Sequence, residues 1–380
     1  MYHETTYQAA QAVAGLAADH FAQHIAAARL RGEQNIAPDP YAQTIARIID
    51  VTFWASLRRE EGRSPKISLA FLPPESAGHP LLFEQQLPLN PGILTKLAPA
   101  VERPGIHLGI WFDGDALKVW GTTREIPSYC FVLEVIEPGL LVIKHRRQDS
   151  FGKFINVAVL KGDQVKVVDE ASATLSDCPA LVTSLLGFIS PSAQTETVDV
   201  LVQLATSMRA HGRGGSLLVV PAGSQAWRKS IVHPILYSVA PAFSTLTNLM
   251  QQEISESERN RWQVTLQRAV DSVAGLTAVD GATIISDQYE LLAFGAKITR
   301  VDGNKIVEKM VLTEPIKGGG AVVVSPAQSG GTRPLSAAQF VHDQRNALAL
   351  VASQDGRFTI FTWSSCEGMV HAHRVDALLL

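Results

Sequence analysis

The sequence predicts an α/β protein of two domains, in which an α+β domain with an antiparallel sheet precedes an α/β sandwich with a mixed sheet. Three observations support this fold class. Apolar residues of the first half recur at helical spacing and then alternate at period two. The second half interleaves helical patterns with continuous apolar runs, which are typical of strands buried on both faces. Residues 191–197 are polar and periodless, so we place the domain boundary there.

The first domain, residues 1–190, begins with two predicted helices. Residues 6–31 carry apolar side chains at helical spacing. A second helix is expected to start at Asp39-Pro40, a cap residue followed by a proline of the first turn, and to end near Gly62. We expect both apolar stripes to pack on one face of the sheet.

Alternating and apolar segments from residue 67 to residue 168 predict an antiparallel meander. Asp113-Gly114 is a strong hairpin turn signal. His107 falls on the polar face of its strand, where we expect a solvated or hydrogen-bonded histidine. The cluster from Lys144 to Arg147 follows an apolar run and is expected to be a solvated strand end. We find no catalytic constellation in this meander.

A short apolar helix is predicted over residues 178–190, before the boundary. The second domain covers residues 195–364, and residues 365–380 form a C-terminal tail. The first helix of the second domain carries Val198, Leu201, Val202, Ala205 and Met208 and stops at His211-Gly212. Further helices are predicted over residues 256–275 and 336–345. Strands are predicted over residues 217–220, 282–285, 290–294, 321–324, 347–352 and 358–363.

Composition excludes several classes of function. The net charge of −3, from 33 basic and 36 acidic residues among 380, gives no basic footprint for a nucleic-acid partner. Three widely spaced cysteines, without C-x-x-C or histidine spacing, argue against both a disulfide framework and a zinc site, and they fit a reducing compartment. No apolar stretch is long enough for a membrane span, and the amphipathic N-terminal segment is not a secretory signal. We therefore expect a cytoplasmic protein.

The loop before the 336–345 helix is a candidate anion site. Gly331, Thr332 and Arg333 lead to Ser336 and Gln339, which have the S-x-x-Q spacing of a capping box. An arginine beside the free N–H groups of a helix N-terminus is suited to bind an anion. An ordinary surface loop that leads into a helix is the alternative interpretation.

A second candidate is Asp280-Gly281, directly before the strand that starts at Ala282. Alone, this pair indicates a turn. It lies about 50 residues before Arg333, and both occupy loop–element junctions that can converge on one edge of a sheet. An aspartate for a divalent metal and an arginine at a helix N-terminus are the minimum set for nucleotide chemistry.

Five segments of the second domain resemble, in their order and spacing, the motifs of the diadenylate cyclase domain. That family has a Gly-Ala-Leu-Ile-Val strand, an Asp-Gly-Ala motif, an Ala-Gly-Ala or Ala-Gly-Cys strand end, a Gly-Thr-Arg-His-Arg motif and a Ser-Glu-Glu-Thr-Gly hairpin. The matching segments are Gly214-Gly215-Ser216-Leu217-Leu218-Val219-Val220, Asp280-Gly281-Ala282-Thr283-Ile284-Ile285, Phe294-Gly295-Ala296-Lys297-Ile298, Gly331-Thr332-Arg333 and Val351-Ala352-Ser353-Gln354-Asp355-Gly356. The N-terminal half resembles the variable region that serves as a sensor domain in some of these proteins.

The resemblance implies a nucleotidyltransferase that binds ATP with Mg²⁺ or Mn²⁺ and condenses two ATP molecules to cyclic di-AMP between two domains facing each other in a homo-oligomer. It assigns Asp280 to the metal and to activation of the 3′-hydroxyl, and it assigns Arg333 to catalysis through the phosphates. Gly295 and Ala296 are expected near the adenine. The nucleotide-binding set that it implies is Gly281, Ala282, Gly295, Ala296, Gly331, Thr332, Arg333 and Ser336.

The chain departs from the family where phosphates are bound. Pro334-Leu335 replaces His-Arg, and Ser336 is an apparent one-residue insertion. Each lost charge-assisted bond costs on the order of 1.5–3 kcal/mol. The acidic pair of the hairpin is reduced to Gln354-Asp355. Three basic residues elsewhere in the domain could supply charge, and they are Arg213, Lys297 and Arg357.

Three functions stay open at this level. The chain is a diadenylate cyclase with a modified phosphate motif under sensor control, or it is a nucleotide-binding sensor without turnover, or both halves pack together to recruit a partner. The degraded motif leaves open whether the protein is an enzyme.

Overall fold

The computed structural model describes residues 5–146, 154–171, 182, 200–252, 254–255, 258–329 and 331–380. The chain divides into two compact units, residues 1–168 with Leu380 and residues 169–379. Apart from Val182, the predicted 178–190 helix and the 191–197 boundary lie outside the described residues. Among the described helices, none is both long and apolar enough to cross a membrane.

The first unit contains a sheet that has eight strands among its described residues, in the order β2-β4-β3-β1-β5-β6-β7-β8. From β5 to β8 each strand pairs antiparallel with the next, as the meander predicts. The strands are β1 (Ser68–Phe71), β2 (Leu81–Pro88), β3 (His107–Asp113), β4 (Ala116–Thr123), β5 (Phe131–Glu137), β6 (Leu140–Arg146), β7 (Phe154–Lys161) and β8 (Gln164–Val167).

Helices α1 (Gln8–Leu30) and α2 (Ala42–Ser56) pack on this sheet, as predicted. Phe21, Ile45 and Phe131 are fully buried in their shared core. Because side chains alternate along a strand, Cys130 and Val132 lie on the opposite face of the sheet, in a second apolar cluster.

The antiparallel pairing predicted for this unit holds for the other described strand pairs of the sheet, but β1 and β3 pair in parallel. A parallel pair needs a crossover connection, and here it includes α3 (Pro91–Val101), a helix that the sequence analysis missed. Asn90 caps α3, and its side chain accepts a hydrogen bond from the Ile93 N–H at 2.9 Å. The predicted Asp39 cap of α2 is also wrong, since Tyr41 is the N-cap residue and makes no side-chain cap.

Two polar predictions in this sheet need correction. His107 is buried, so its predicted position on a solvated face is wrong. It is hydrogen-bonded, which was one of the two expected states, with 2.7 Å between its Nδ1 and the Ser68 hydroxyl oxygen. Burial lowers the pKa of His107 to about 4. Lys144 is buried too, 2.6 Å from Glu134, because β6 lies between β5 and β7 and is not a solvated end.

The second unit contains a mixed sheet, as predicted, with nine strands among its described residues in the order β10-β12-β11-β9-β15-β16-β17-β13-β14. Strand β9 pairs in parallel with β11 and antiparallel with β15. The segment predicted to be a C-terminal tail includes β17, which pairs with β16 and β13. The strands are β9 (Gly215–Val220), β10 (Tyr237–Phe243), β11 (Ala282–Ser286), β12 (Leu291–Ala296), β13 (Met310–Thr313), β14 (Val322–Val324), β15 (Leu348–Ala352), β16 (Phe358–Ser364) and β17 (Met369–Arg374).

Four helices of the described chain belong to this unit, and they are α4 (Val200–Ala210), α5 (Thr245–Met250), α6 (Arg259–Leu276) and α7 (Thr332–Asp343). Helix α7 packs against β15 and β16. Its Phe340 is fully buried in a core with Leu218 and Phe361. The adjacent Leu217 points to the other face of β9 and is buried as well, so the sheet is covered on both faces.

Phe340→Ala is expected to lower the free energy of unfolding of the second unit by about 3–5 kcal/mol, because it leaves a cavity where a fully buried ring packed. Urea unfolding followed by circular dichroism measures the change. Leu335→Ala on the same helix, where Leu335 is 39% exposed, is the matched control and should change stability by less than about 1 kcal/mol. Equal effects of the two changes would contradict the packing of α7.

Candidate functional site

Four strand ends meet at one edge of the second sheet. The register pairs Ala282 with Ser216 of β9 and with Ala296 of β12, and it pairs Gly215 with Ala352 of β15. The starts of β9 and β11 therefore lie beside the ends of β12 and β15. This brings Asp280, which precedes β11, to the same edge as Lys297, which follows β12.

Asp280 and Lys297 form an exposed ion pair at this edge, with 2.5 Å between the carboxylate and the ammonium nitrogen. The hydrogen bond and the positive charge of Lys297 lower the pKa of Asp280, and the charge of Arg333 adds to the effect. Asp280 is thus an ionised carboxylate between two cations. Lys297, one of the three basic residues that could supply charge from elsewhere in the domain, therefore does contact Asp280.

Two glycines permit this arrangement through a close backbone approach. A Cβ at Gly281, where φ is +120°, would lie 2.4 Å from the carbonyl carbon of Gly295. A Cβ at Gly295, where φ is +61°, would lie 2.8 Å from the Tyr237 ring. Both positions therefore exclude a side chain, and Asp280 and Lys297 depend on them for their proximity.

An aromatic pair covers the strand end that the family resemblance places near the adenine. The rings of Tyr237 and Phe294 stack at 4.9 Å and 4°. Tyr237 is 47% exposed, so its ring also meets solvent. Tyr237 was not among the residues singled out from the sequence.

Arg333 lies against the start of β9. An added Cβ at Gly214, where φ is +69°, would be 2.7 Å from an Nη atom of Arg333 and 3.4 Å from the side chain of Gln354. The side chain of Gln354 in turn donates to the carbonyl of Arg213 at 3.3 Å. Three segments therefore lie close together at this sheet edge. They are the segment before β9 that contains Gly214, the loop that carries Arg333, and the hairpin after β15 that contains Gln354.

Helix α7 begins at Thr332, and Gly331 is its N-cap residue with φ of +65°. The predicted capping box is therefore wrong, because Ser336 lies one turn inside the helix. Gln339 binds elsewhere, and its side-chain oxygen accepts from the Val307 N–H at 3.1 Å. Arg333 falls in the first turn, where Pro334 supplies no N–H.

A cavity of about 300 Å³ lies beside Arg333 and has two more arginines, Arg357 and Arg374, in its lining. Arg357 is 3.4 Å from the carboxylate of Asp355. The Nε of Arg374 is buried and has no hydrogen-bond partner within the part of the chain that the structure describes. As a lining residue, Arg374 adds a positive charge to this cavity. Arg374 was missed because its segment was taken for a tail.

The residues at this edge fit a hard divalent cation such as Mg²⁺ or Mn²⁺ that is shared with a bound phosphate. Such ions take oxygen ligands, and one or two carboxylates with substrate phosphates suffice. Asp280 is exposed and ionised, so its carboxylate could serve as the protein ligand. Lys297 occupies that carboxylate here and would have to move or share it.

Comparison with known proteins gives one family match. Residues 34–124 match the family described as "Probable sensor domain DACNV", and they span α2, α3 and β1 to β4 of the first unit. The comparison with curated proteins found no match. The sensor match indicates a signalling role for the protein.

Lys297→Met is expected to raise the pKa of Asp280 toward its ordinary value of 3.8, because the change removes a cationic hydrogen-bond donor. Asp280 would then become protonated at a higher pH than in the unmodified protein. Carboxyl-detected NMR titration measures both midpoints. Lys309→Met, at an exposed lysine of the same unit, is the control and should leave the Asp280 midpoint in place. An unshifted midpoint in Lys297→Met would mean that the pair does not form in solution.

Proposed function

We propose that the protein is a nucleotide-binding signalling protein, in which the second unit binds ATP or a related nucleotide and the first unit senses a signal. One observation carries the nucleotide part. Asp280, Lys297 and Arg333 converge at one sheet edge. The neighbouring positions Gly281 and Gly295 leave no room for a side chain. The sensor part rests on the family match over residues 34–124.

The chemistry of the edge suits a polyphosphate. Arg333 offers a forked cation, and the first-turn N–H groups of Thr332 and Arg333 add the positive end of the α7 dipole. Arg357 and Arg374 bring further charge to the adjoining cavity. Tyr237 provides an exposed ring beside Gly295, where a nucleobase can stack.

The specific activity that we propose is the condensation of two ATP molecules to cyclic di-AMP. Each 3′-oxygen forms a bond to the α-phosphorus of the other ATP, the bond from that phosphorus to the β-phosphate oxygen breaks, and pyrophosphate leaves. In this proposal Asp280 takes the hydroxyl proton, and Arg333 and Lys297 hold the phosphates in line. A bound Mg²⁺ or Mn²⁺ would neutralise phosphate charge. Two second units must face each other, so the active form is a homo-oligomer.

A second candidate is a sensor that binds the nucleotide without turnover. Pro334 has no N–H in the first turn of α7, and Leu335 presents 39% of its surface to solvent without charge. A site that retains Arg333 but lacks two further phosphate donors binds more readily than it catalyses, because catalysis depends on contacts that strengthen in the transition state.

Arg333→Ala is expected to weaken ATP binding by about 10- to 100-fold, the effect of one lost charge-assisted phosphate contact. Isothermal calorimetry of the full chain with Mg²⁺ present measures the affinity. Arg268→Ala, at an exposed arginine on α6, is the matched control and should bind as the unmodified protein does. Asp280→Asn should bind ATP with a weaker dependence on Mg²⁺. No ATP binding by the unmodified chain would reject the proposed function.

The double change Pro334→His with Leu335→Arg is expected to raise the rate of cyclic di-AMP formation by about one to two decades per restored contact. Chromatography of reactions with ATP and Mn²⁺, at high protein concentration, measures the product. Pro334→Ala with Leu335→Gln is the control, since it restores no charge. Product from the unmodified chain identifies a cyclase, and product from the His-Arg variant alone identifies a sensor derived from one. No product from any of them, despite ATP binding, would exclude the cyclase.

A further inference from the structure

The first unit contains a histidine pair that no part of the proposed function uses. His20 and His24 are four residues apart on α1, so their side chains lie on the same face of the helix, one turn apart. Their rings are 4.3 Å apart between centres, and each offers a ring nitrogen within 4.8 Å of the other. This spacing on a helix is a common way to chelate a transition metal.

A third histidine comes from the sheet of the same unit. The ring centre of His145, on β6, is 5.3 Å from that of His20 and 5.6 Å from that of His24. His145 is buried, whereas His20 and His24 are half-buried. The group therefore has one interior ring and two rings that solvent can reach, which gives an ion a way in.

The spacing of these rings matches a tetrahedral metal centre. Imidazole nitrogens bind zinc at about 2.0–2.1 Å, which puts the centres of two coordinating rings about 5 Å apart at the tetrahedral angle. The three observed separations, 4.3, 5.3 and 5.6 Å, bracket that value. Coordination by all three rings requires side-chain rotations that aim one nitrogen of each ring at a common point.

We propose that His20, His24 and His145 form a binding site for a borderline divalent cation of the zinc type. Imidazole ligands select zinc, cobalt, nickel or copper over magnesium and calcium, which require oxygen. Three protein nitrogens leave a fourth position open for water or another ligand. The site is independent of the nucleotide chemistry proposed for the second unit.

The surroundings are consistent with this assignment. The Tyr129 ring is 5.3 Å from His145 and 5.9 Å from His24, and Arg31 donates to the Tyr129 hydroxyl at 3.1 Å. Phe21 packs beside His145 at 5.9 Å between ring centres. Rings on several sides restrict the motion of the histidines, and this preorganises the ligands.

Bound metal would join α1 to the sheet. The two helical ligands and the strand ligand belong to different elements, so an ion that binds the folded unit stabilises their contact by mass action. Coordination requires neutral imidazoles, so metal binding releases any proton that these rings carry. A sensor unit with such a site would respond to the availability of the metal.

The test is a Co²⁺ titration of the full, tag-free chain after treatment with a chelator. We expect the intense visible absorption of tetrahedral Co²⁺, lost on addition of one equivalent of Zn²⁺ and not of Mg²⁺. His20→Ala and His24→Ala should each weaken Co²⁺ binding by at least about 100-fold, because each removes one of three ligands. His79→Asn, at an exposed histidine of the same unit, should bind as the unmodified chain does.

Because His145 is buried, His145→Ala is assessed only after circular dichroism shows an intact fold, and His24→Ala at a half-buried position keeps the test decisive if it does not. Thermal unfolding with Zn²⁺ gives an independent measurement, in which the unmodified chain should gain stability and His24→Ala should not. The proposal fails if the unmodified chain shows no tetrahedral Co²⁺ spectrum. It also fails if His20→Ala and His24→Ala bind as tightly as His79→Asn.

Discussion

The approach of two backbones at Gly281 and Gly295 is the constraint on which the candidate site depends. A Cβ at Gly281 would lie 2.4 Å from the Gly295 carbonyl carbon, a distance that real side chains do not reach. The two strand ends can therefore meet only without side chains at this point. Their meeting brings Asp280 within hydrogen-bond distance of Lys297. The charges of the site thus follow from a steric condition on two glycines.

Once those strands meet, the electrostatics of the edge favour an anion. Asp280 is ionised and already paired with Lys297, which leaves Arg333 to face an incoming ligand. Arg374 adds a further positive charge to the lining of the neighbouring cavity. A phosphate would satisfy these donors and also free Asp280 from part of its ion pair, so ligand and metal can support each other's binding.

The sequence predicted the long and strongly patterned features. The amphipathic helices α1 and α6 were found because each has enough residues to show its period, and the buried strand β9 was found from its continuous apolar run. The parallel β1–β3 pair was missed because strand direction depends on the path of the chain between strands, which local patterns do not record. The start of α7 was misplaced because Ser336 has the sequence pattern of a cap residue, whereas Gly331 occupies the N-cap position.

The site shows the same division between local and long-range information. Asp280, Gly295 and Arg333 were located from short motifs whose order along the chain is specific. The partnership of Asp280 with Lys297 and the contribution of Arg374 follow from strand register, and neighbours in a register can be far apart in sequence. The histidines of α1 are an intermediate case. Their i,i+4 spacing was visible in the sequence, but His145 joins them only through helix-on-sheet packing.

The ligand types at the two sites separate their metal chemistry. Asp280 offers a hard carboxylate oxygen, which suits a cation shared with phosphates, whereas the histidines offer nitrogen, which suits a borderline ion. Magnesium therefore competes poorly for the histidine site. The two proposed sites thus differ in the class of ion that their donor atoms prefer.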